Sequence, residues 1–217
     1  MKKDSTELVF ILDRSGSMSG LEKETIGGFN SMLKKQKKEK GEAKVTTVLF
    51  DNEYELLHNH LDIKEVNNIT DNDYYVRGST ALLDAVGKAI NNMINVQKKL
   101  SDKEQAENVM FIITTDGMEN SSREYTYKKI SRMIEHQKEK YGWEFIFLGA
   151  NIDAVEVASK FGINEDRAVN FHSDKEGTSL NYKVVSETVS TLRTNSKISS
   201  EWKKKIDEDY IRRGGNK

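Results

Sequence analysis

The sequence has 217 residues, of which 36% are hydrophobic and 32% charged, which is enough for one large α/β domain with a buried core. Its 34 Lys and Arg residues nearly balance 35 Asp and Glu residues, for a net charge of −1, so the composition does not indicate nucleic-acid binding. The sequence contains no cysteine, which excludes disulfides, thiolate metal sites and a cysteine nucleophile.

In the first half of the chain, short apolar runs alternate with amphipathic segments. A nearly continuous apolar run at 7–13 predicts a strand buried on both faces, and residues 21–40 have the apolar spacing of a helix. Two more strands are predicted at 44–50 and 54–63, and the short polar turn between them indicates an antiparallel hairpin. A long amphipathic helix is predicted over 78–100.

The second half of the chain continues the same alternation of strands and helices. In chain order, we predict a strand at 108–116, a helix at 127–142, a strand at 143–151, a helix at 153–163, a strand at 168–174 and a helix at 177–194. This order predicts a doubly wound, mostly parallel six-stranded sheet with one antiparallel edge strand and helices on both faces.

The sequence also predicts the domain organisation and the cellular location. We find no linker or internal repeat, and we predict one domain over 1–195, followed by a C-terminal helical extension and frayed tail over 196–217. The first apolar run is too short for a signal peptide, and no segment approaches the roughly 20 apolar residues of a membrane span. We therefore expect a cytoplasmic protein that has no membrane partner.

Oxygen-bearing side chains follow two of the predicted strands. Asp13 ends the first strand and is followed by Ser15 and Ser17, Asp116 ends the fourth strand, and Thr80 opens the helix after the hairpin. In an open α/β sheet, the carboxyl ends of strands at the switch point face one crevice. The five side chains are therefore expected to meet and to suit a hard cation such as Mg²⁺ or Mn²⁺.

The charge of this donor set predicts what the ion would bind. Hydroxyl ligands carry no charge, and the set supplies at most two carboxylates. An ion held mainly by hydroxyls would keep much of its positive charge and would favour an anionic oxygen from outside. We therefore expect the ligand to be a carboxylate from a partner protein.

Other sites fit the loop after Asp13 less well. An aspartyl-phosphate phosphatase needs a second acid where Ser15 stands, a hydrolase elbow needs G-x-S-x-G, and a phosphate loop needs G-K-[ST]. Asp13 could instead be a plain strand-end residue beside a capping serine, and a bound metal could activate water. A metal-dependent hydrolase of phosphorylated substrates stays the alternative function.

His58 and His60, two apart in the third strand, are expected to form a surface pair on one face rather than a second metal site.

The segments "DRSGS", "GSTALLDA" and "TTDG" resemble the three parts of the metal-ion-dependent adhesion site (MIDAS) of von Willebrand factor type A domains. The element order is similar to that fold over about residues 6–195. The resemblance implies a non-enzymatic, Mg²⁺- or Mn²⁺-dependent protein-interaction module of bacterial cytoplasmic or phage-related type, whose ion holds an Asp or Glu of the partner. It determines neither the partner nor the oligomeric state. The positions that match the motif are Asp13, Ser15, Ser17, Thr80 and Asp116.

Overall fold

The structure, a computed structural model, describes residues 1–195 and 197–215. The strands are β1 (Lys2–Asp13), β2 (Glu42–Phe50), β3 (Tyr54–Asp62), β4 (Ala106–Thr115), β5 (Glu144–Gly149) and β6 (Ala168–Asn170). The α-helices are α1 (Glu22–Gln36), α2 (Leu82–Lys99), α3 (Tyr127–Tyr141), α4 (Ala154–Lys160), α5 (Lys175–Asn195) and α6 (Lys204–Arg212). No helix in these ranges is both long and apolar enough to cross a lipid bilayer.

The six strands form one sheet in the order β3-β2-β1-β4-β5-β6. Neighbouring strands are parallel except β2 and β3, which pair antiparallel at one edge. From the central β1, the chain first moves outward to β2 and later returns to the other side of β1 as β4. Strand order therefore reverses between β1 and β4, which confirms the predicted doubly wound sheet with one antiparallel edge strand.

The sheet has a hydrophobic core on each face. In β1, Leu8, Phe10 and Leu12 pack on one side, where α1, α5 and α6 lie, and Val9 and Ile11 pack on the other, under α2, α3 and α4. Because β1 is covered on both faces, each of these residues is apolar, which explains the continuous run in the sequence. The carboxyl end of β1 is therefore packed on both faces of the sheet.

β3 does not keep a regular alternation, and the prediction for its two histidines is wrong. The register with β2 shifts on either side of the pair between Thr47 and His58, and His60 has a φ of 53°. His58 is buried with its Nδ1 3.0 Å from the hydroxyl oxygen of Thr47, whereas the Nδ1 of His60 lies 2.8 Å from Oε1 of Glu7 on the opposite face. Because a β-bulge adds a residue to one strand, side chains two apart no longer share a face.

The segment after α5 packs against the β6 edge of the sheet. The indole N–H of Trp202 donates to the carbonyl of Asp166 at 2.8 Å, and Ile206 of α6 is buried in the core. α6 lies within the segment for which a helical extension is predicted. The division of the chain at residue 195 stays a prediction, and the last two residues of the predicted frayed tail lie outside the described residues.

Candidate functional site

Three loops meet at the carboxyl ends of β1 and β4. The hydroxyl oxygens of Ser15 and Ser17 are 3.1 Å apart, and the Thr80 hydroxyl donates to Ser15 Oγ at 3.0 Å. Gly117, which directly follows Asp116, lies against these hydroxyls, because a Cβ there would stand 3.0 Å from both Ser17 Oγ and Thr80 Oγ1. The structure thus brings the three predicted hydroxyls together in a cradle that a side chain at residue 117 would enter.

Asp13 is buried at the end of β1, and both of its carboxylate oxygens accept hydrogen bonds. Oδ1 accepts from the backbone N–H of Ser15 at 2.7 Å, and Oδ2 accepts from the hydroxyl of Thr115 at 2.6 Å. Burial raises the pKa of Asp13 to about 6, although these hydrogen bonds act in the opposite direction. The ionised form of Asp13 is therefore destabilised by burial, and the two hydrogen bonds hold its carboxylate at the base of the "DRSGS" loop.

Asp116 is also buried, and its two oxygens differ. Oδ2 accepts a hydrogen bond from the hydroxyl of Ser173 at 2.8 Å, whereas Oδ1 is buried without a hydrogen-bond partner among the described residues. Leaving a buried polar atom unsatisfied costs about 1–3 kcal/mol, and more when the group is charged. Because the next residue, Gly117, lies against the hydroxyls of Ser17 and Thr80, this unpaired oxygen fits a ligand of a cation.

The donor chemistry of the site fits a hard divalent cation. Asp13, Asp116 and the three hydroxyls offer oxygen atoms alone, which are the ligands of Mg²⁺ and Mn²⁺. No group of three or more His, Cys, Asp or Glu side chains that could hold a metal occurs in the described part of the chain. The proposed donor set would not form such a group, because only two of its five members, Asp13 and Asp116, are carboxylates and the other three are hydroxyls.

A buried ionic cluster that sequence motifs do not reveal supports the site. Arg14, inside the "DRSGS" loop, is fully buried, and its Nε donates to Asp51 Oδ2 at 3.0 Å while its Nη1 lies 2.7 Å from Glu55 Oε2. The same Asp51 oxygen accepts from Arg77 Nε at 2.7 Å. Asp51 therefore joins the "DRSGS" loop to the segment that precedes Thr80.

Two adjacent tyrosines before the threonine loop have different roles. Tyr74 is buried, and its hydroxyl donates to the backbone carbonyl of Asp13. Tyr75 is 44% exposed, and the guanidinium carbons of Arg14 and Arg77 lie 5.3 and 5.5 Å from its ring centroid. Tyr74 thus fixes the end of β1, and Tyr75 presents an aromatic surface beside the site.

The loop after Asp116 is fastened to the start of α2. The carboxylate of Asp84 accepts hydrogen bonds at 2.9 Å from the backbone N–H groups of residues 123–125, and Asn120 Oδ1 accepts from the N–H of Thr80 at 2.9 Å. Asp84 belongs to the quoted "GSTALLDA" segment, where an acid inside an apolar helix is the signal that marks it. Asp84 therefore holds the loop after β4 close to the loop that carries Thr80.

Comparison with known families identifies the fold. A sequence model of the von Willebrand factor type A domain matches residues 7–187, which include all three loops of the site. The chain belongs to the von Willebrand factor type A domain family. This family is known for metal-dependent protein interactions, and its members are generally not enzymes. Comparison with curated protein sequences found no match.

Several solved von Willebrand factor type A structures resemble this chain. Proximal thread matrix protein 1 from the mussel byssus, solved with a zinc-occupied MIDAS motif, has a TM-score of 0.57 at 15% identity over 88% of this chain and 47% of that chain. The domain of the type V pili tip protein Mfa5 from Porphyromonas gingivalis has a TM-score of 0.61 at 12% identity, over 89% and 98% of the chains. The ArnB paralog VWA2 from Sulfolobus acidocaldarius has a TM-score of 0.52 at 20% identity, over 86% and 45%. This chain spans about half the length of the mussel and Sulfolobus chains, and identities this low support the fold alone.

Replacing Asp13 by Asn in this type A domain is expected to stabilise the metal-free protein by about 1–3 kcal/mol at about pH 8. Because the folded state raises the pKa of Asp13 to about 6, it binds a proton more tightly than the unfolded chain does. The stability of the metal-free protein therefore falls as the pH rises through about 6. Asn keeps the side-chain shape beside Ser15 and Thr115 without the buried charge.

Urea unfolding in EDTA at several pH values measures this effect. The stability difference between Asp13→Asn and the unchanged protein should shrink as the pH falls toward about 4, the ordinary pKa of an aspartate. A difference that does not vary with pH would show that the buried charge of Asp13 is not its cause.

Proposed function

We propose that the protein is a divalent-metal-dependent interaction module and that Asp13, Ser15, Ser17, Thr80 and Asp116 form its MIDAS. These side chains would hold Mg²⁺ or Mn²⁺, which when bound supplies a positively charged position for an Asp or Glu of a partner protein. The observation that carries the proposal is the buried Oδ1 of Asp116, which has no hydrogen-bond partner in the described part of the chain and belongs to the residue directly before Gly117, against which the hydroxyls of Ser17 and Thr80 lie.

The charges in the site favour a carboxylate as the external ligand. Asp13 and Asp116 contribute at most two negative charges, and both oxygens of Asp13 are already engaged in hydrogen bonds. The three hydroxyls contribute none. An ion bound directly by the hydroxyls, with the two carboxylates acting largely through water, would keep much of its positive charge, which an anionic oxygen from a partner would neutralise.

The surface around the site supports a protein as the partner. Met118, next to Gly117, is 71% exposed, and Tyr75, in the segment that precedes Thr80, is 44% exposed. Large apolar and aromatic side chains near the centre of an interface provide much of its binding energy. A partner carboxylate flanked by apolar side chains would match this surface. The proposed footprint consists of the five loops at 51–53, 74–80, 117–122, 149–153 and 172–174.

The cellular setting is part of the same proposal. A cytoplasmic location and a bacterial or phage-related role follow from the resemblance of the three loop segments to the MIDAS of von Willebrand factor type A domains. The partner's identity would follow from the capture experiment below rather than from the location.

Capture of the partner from the source cells is expected to require the metal. The immobilised protein should bind its partner in Mg²⁺ and release it in EDTA, and Thr80→Ala should lose the partner because it removes a hydroxyl from the site. Ser19→Ala is the matched control, since Ser19 is exposed beyond the same loop and lies outside the site. Changing the critical Asp or Glu of the identified partner to Asn or Gln should weaken binding by at least about 2 kcal/mol.

Two outcomes would overturn this function. Equal capture in Mg²⁺ and EDTA would show that the partner does not bind through the metal. Phosphoester turnover that needs Mg²⁺ and disappears in Thr80→Ala would instead establish the metal-dependent hydrolase alternative.

A further inference from the structure

A long groove lies between α2 and α3, away from the proposed metal site. Its volume is about 1280 Å³, and it is lined along almost the whole of α3, whose 15 residues span about 22 Å. Apolar side chains contribute to its lining: Ile94 from α2, Met133 from α3, Val109 from β4, and Trp143. We call this feature the α2–α3 groove. A groove of this length suits a long segment of a partner protein better than a small compact ligand.

The charged side chains that line the α2–α3 groove are mostly positive. None of its lysines and arginines forms an ion pair with any residue that the structure describes, although many other cations on the surface do. Glu107 is the one carboxylate that lines the groove within the described residues, and it accepts a hydrogen bond from the N–H of Asp4. The groove is therefore an apolar channel with a positive rim. The exposed cations of the rim are Lys98, Lys128, Lys129, Arg132 and Lys140.

The α2–α3 groove and the metal site lie at opposite ends of the same two elements. Val109 stands near the start of β4 and Asp116 just after its end, a separation of about 23 Å along the strand. In the same way, α2 begins beside Thr80, and its last turns, with Lys98, reach the groove. A ligand in the groove would therefore not compete with one at the metal site.

We propose that the α2–α3 groove is a second docking site, which binds an acidic amphipathic helix of a partner protein. The apolar lining would receive the apolar face of the helix, and the cations of the rim would pair with Asp and Glu on its flanks. About 15 residues of helix would fill the groove, given its length. With both sites occupied, the domain would connect two partners.

The same features argue against a nucleic acid as the occupant. Trp143 is buried and stacked on Phe111, with ring centroids 5.5 Å apart, so that face is not free to stack on a base, and the exposed ring of Tyr141 is in edge contact with His136 at 5.9 Å. An apolar lining has no counterpart in a phosphate backbone, which binds through charge. An acidic helix uses both the lining and the rim.

Selection from a random peptide library displayed on phage, with the full-length protein as the bait in EDTA, tests this proposal. Peptides of about 15 residues span the groove. The enriched sequences should have apolar residues at helical spacing with Asp or Glu between them. Binding of a synthetic enriched peptide should weaken at least about ten-fold in the double variant Lys129→Glu/Arg132→Glu.

Matched controls make the result specific. Lys34→Glu/Lys35→Glu changes the charge equally on α1, which packs on the opposite face of the sheet, and should leave peptide affinity unchanged. Thermal melts should show that both double variants are folded at the temperature of the binding measurements. Affinity should also be equal in EDTA and Mg²⁺, so failure of the groove and failure of the metal site are distinguishable.

Three results would overturn the proposal. The first is that no helical acidic peptides are enriched, and the second is that both double variants bind the peptide equally well. The third is that a short fluorescein-labelled single-stranded RNA binds more tightly than any peptide and is lost in Lys129→Glu/Arg132→Glu, which would make the groove a nucleic-acid site.

Discussion

Addition of Mg²⁺ to the EDTA-treated protein is expected to raise its free energy of unfolding by about 2.7 kcal/mol when the free ion reaches about 100 times its Kd. The ion would bind the folded state alone, because the donors come from three loops that are far apart in the sequence. It would also compensate the buried carboxylates of Asp13 and Asp116. Urea unfolding over a series of Mg²⁺ concentrations measures the increase.

Variants and pH show whether this stabilisation comes from the proposed site. Thr80→Ala should lose most of the increase and Ser19→Ala should keep it, because the Thr80 hydroxyl lies within the cluster. The increase should also shrink as the pH falls through about 6, where a proton competes for Asp13. Full stabilisation of Thr80→Ala by Mg²⁺ would place the ion elsewhere in the protein.

Removal of the Asp51 carboxylate is expected to lower the free energy of unfolding by about 3–5 kcal/mol. Asp51 and Arg14 are both fully buried, and Asp51→Ala would leave the Arg14 guanidinium in the interior with Glu55 as its remaining ion-pair partner. A buried charge without a full set of partners is among the most destabilising defects in a protein. Urea unfolding in EDTA isolates this effect from metal binding.

Glu53→Gln is the matched control for Asp51→Ala. Glu53 also pairs with Arg77, at 2.7 Å, but its side chain is 64% exposed, so its loss should cost no more than about 1 kcal/mol. If Asp51→Ala does not fold, the double variant Arg14→Met/Asp51→Leu should recover stability, because it removes both buried charges together. Equal effects of Asp51→Ala and Glu53→Gln would show that the buried pair does not stabilise the fold.

The sequence by itself determined the architecture of this protein. Strands covered on both faces must be apolar throughout, so β1 and β4 are visible as uninterrupted runs, and their alternation with amphipathic helices allows few topologies. Parallel strands on either side of a switch point end at the same edge, so the motif residues that follow β1 and β4 had to approach one another. For this reason, Ser15 and Ser17 could be placed beside Asp116 from the sequence, and Thr80, which opens α2, could be placed with them from its motif.

The tertiary structure alone decided which other residues support that edge of the sheet, where β3 has its bulge and where the α2–α3 groove lies. Asp51 and Arg14 are ordinary charges in the sequence, and their burial together depends on how the β2–β3 turn packs against the first loop. The bulge that separates His58 from His60 depends on strand register, which periodicity does not specify. The α2–α3 groove likewise exists because of the spacing between two helices, and helix spacing is set by side-chain packing between elements, which no local pattern in the sequence encodes.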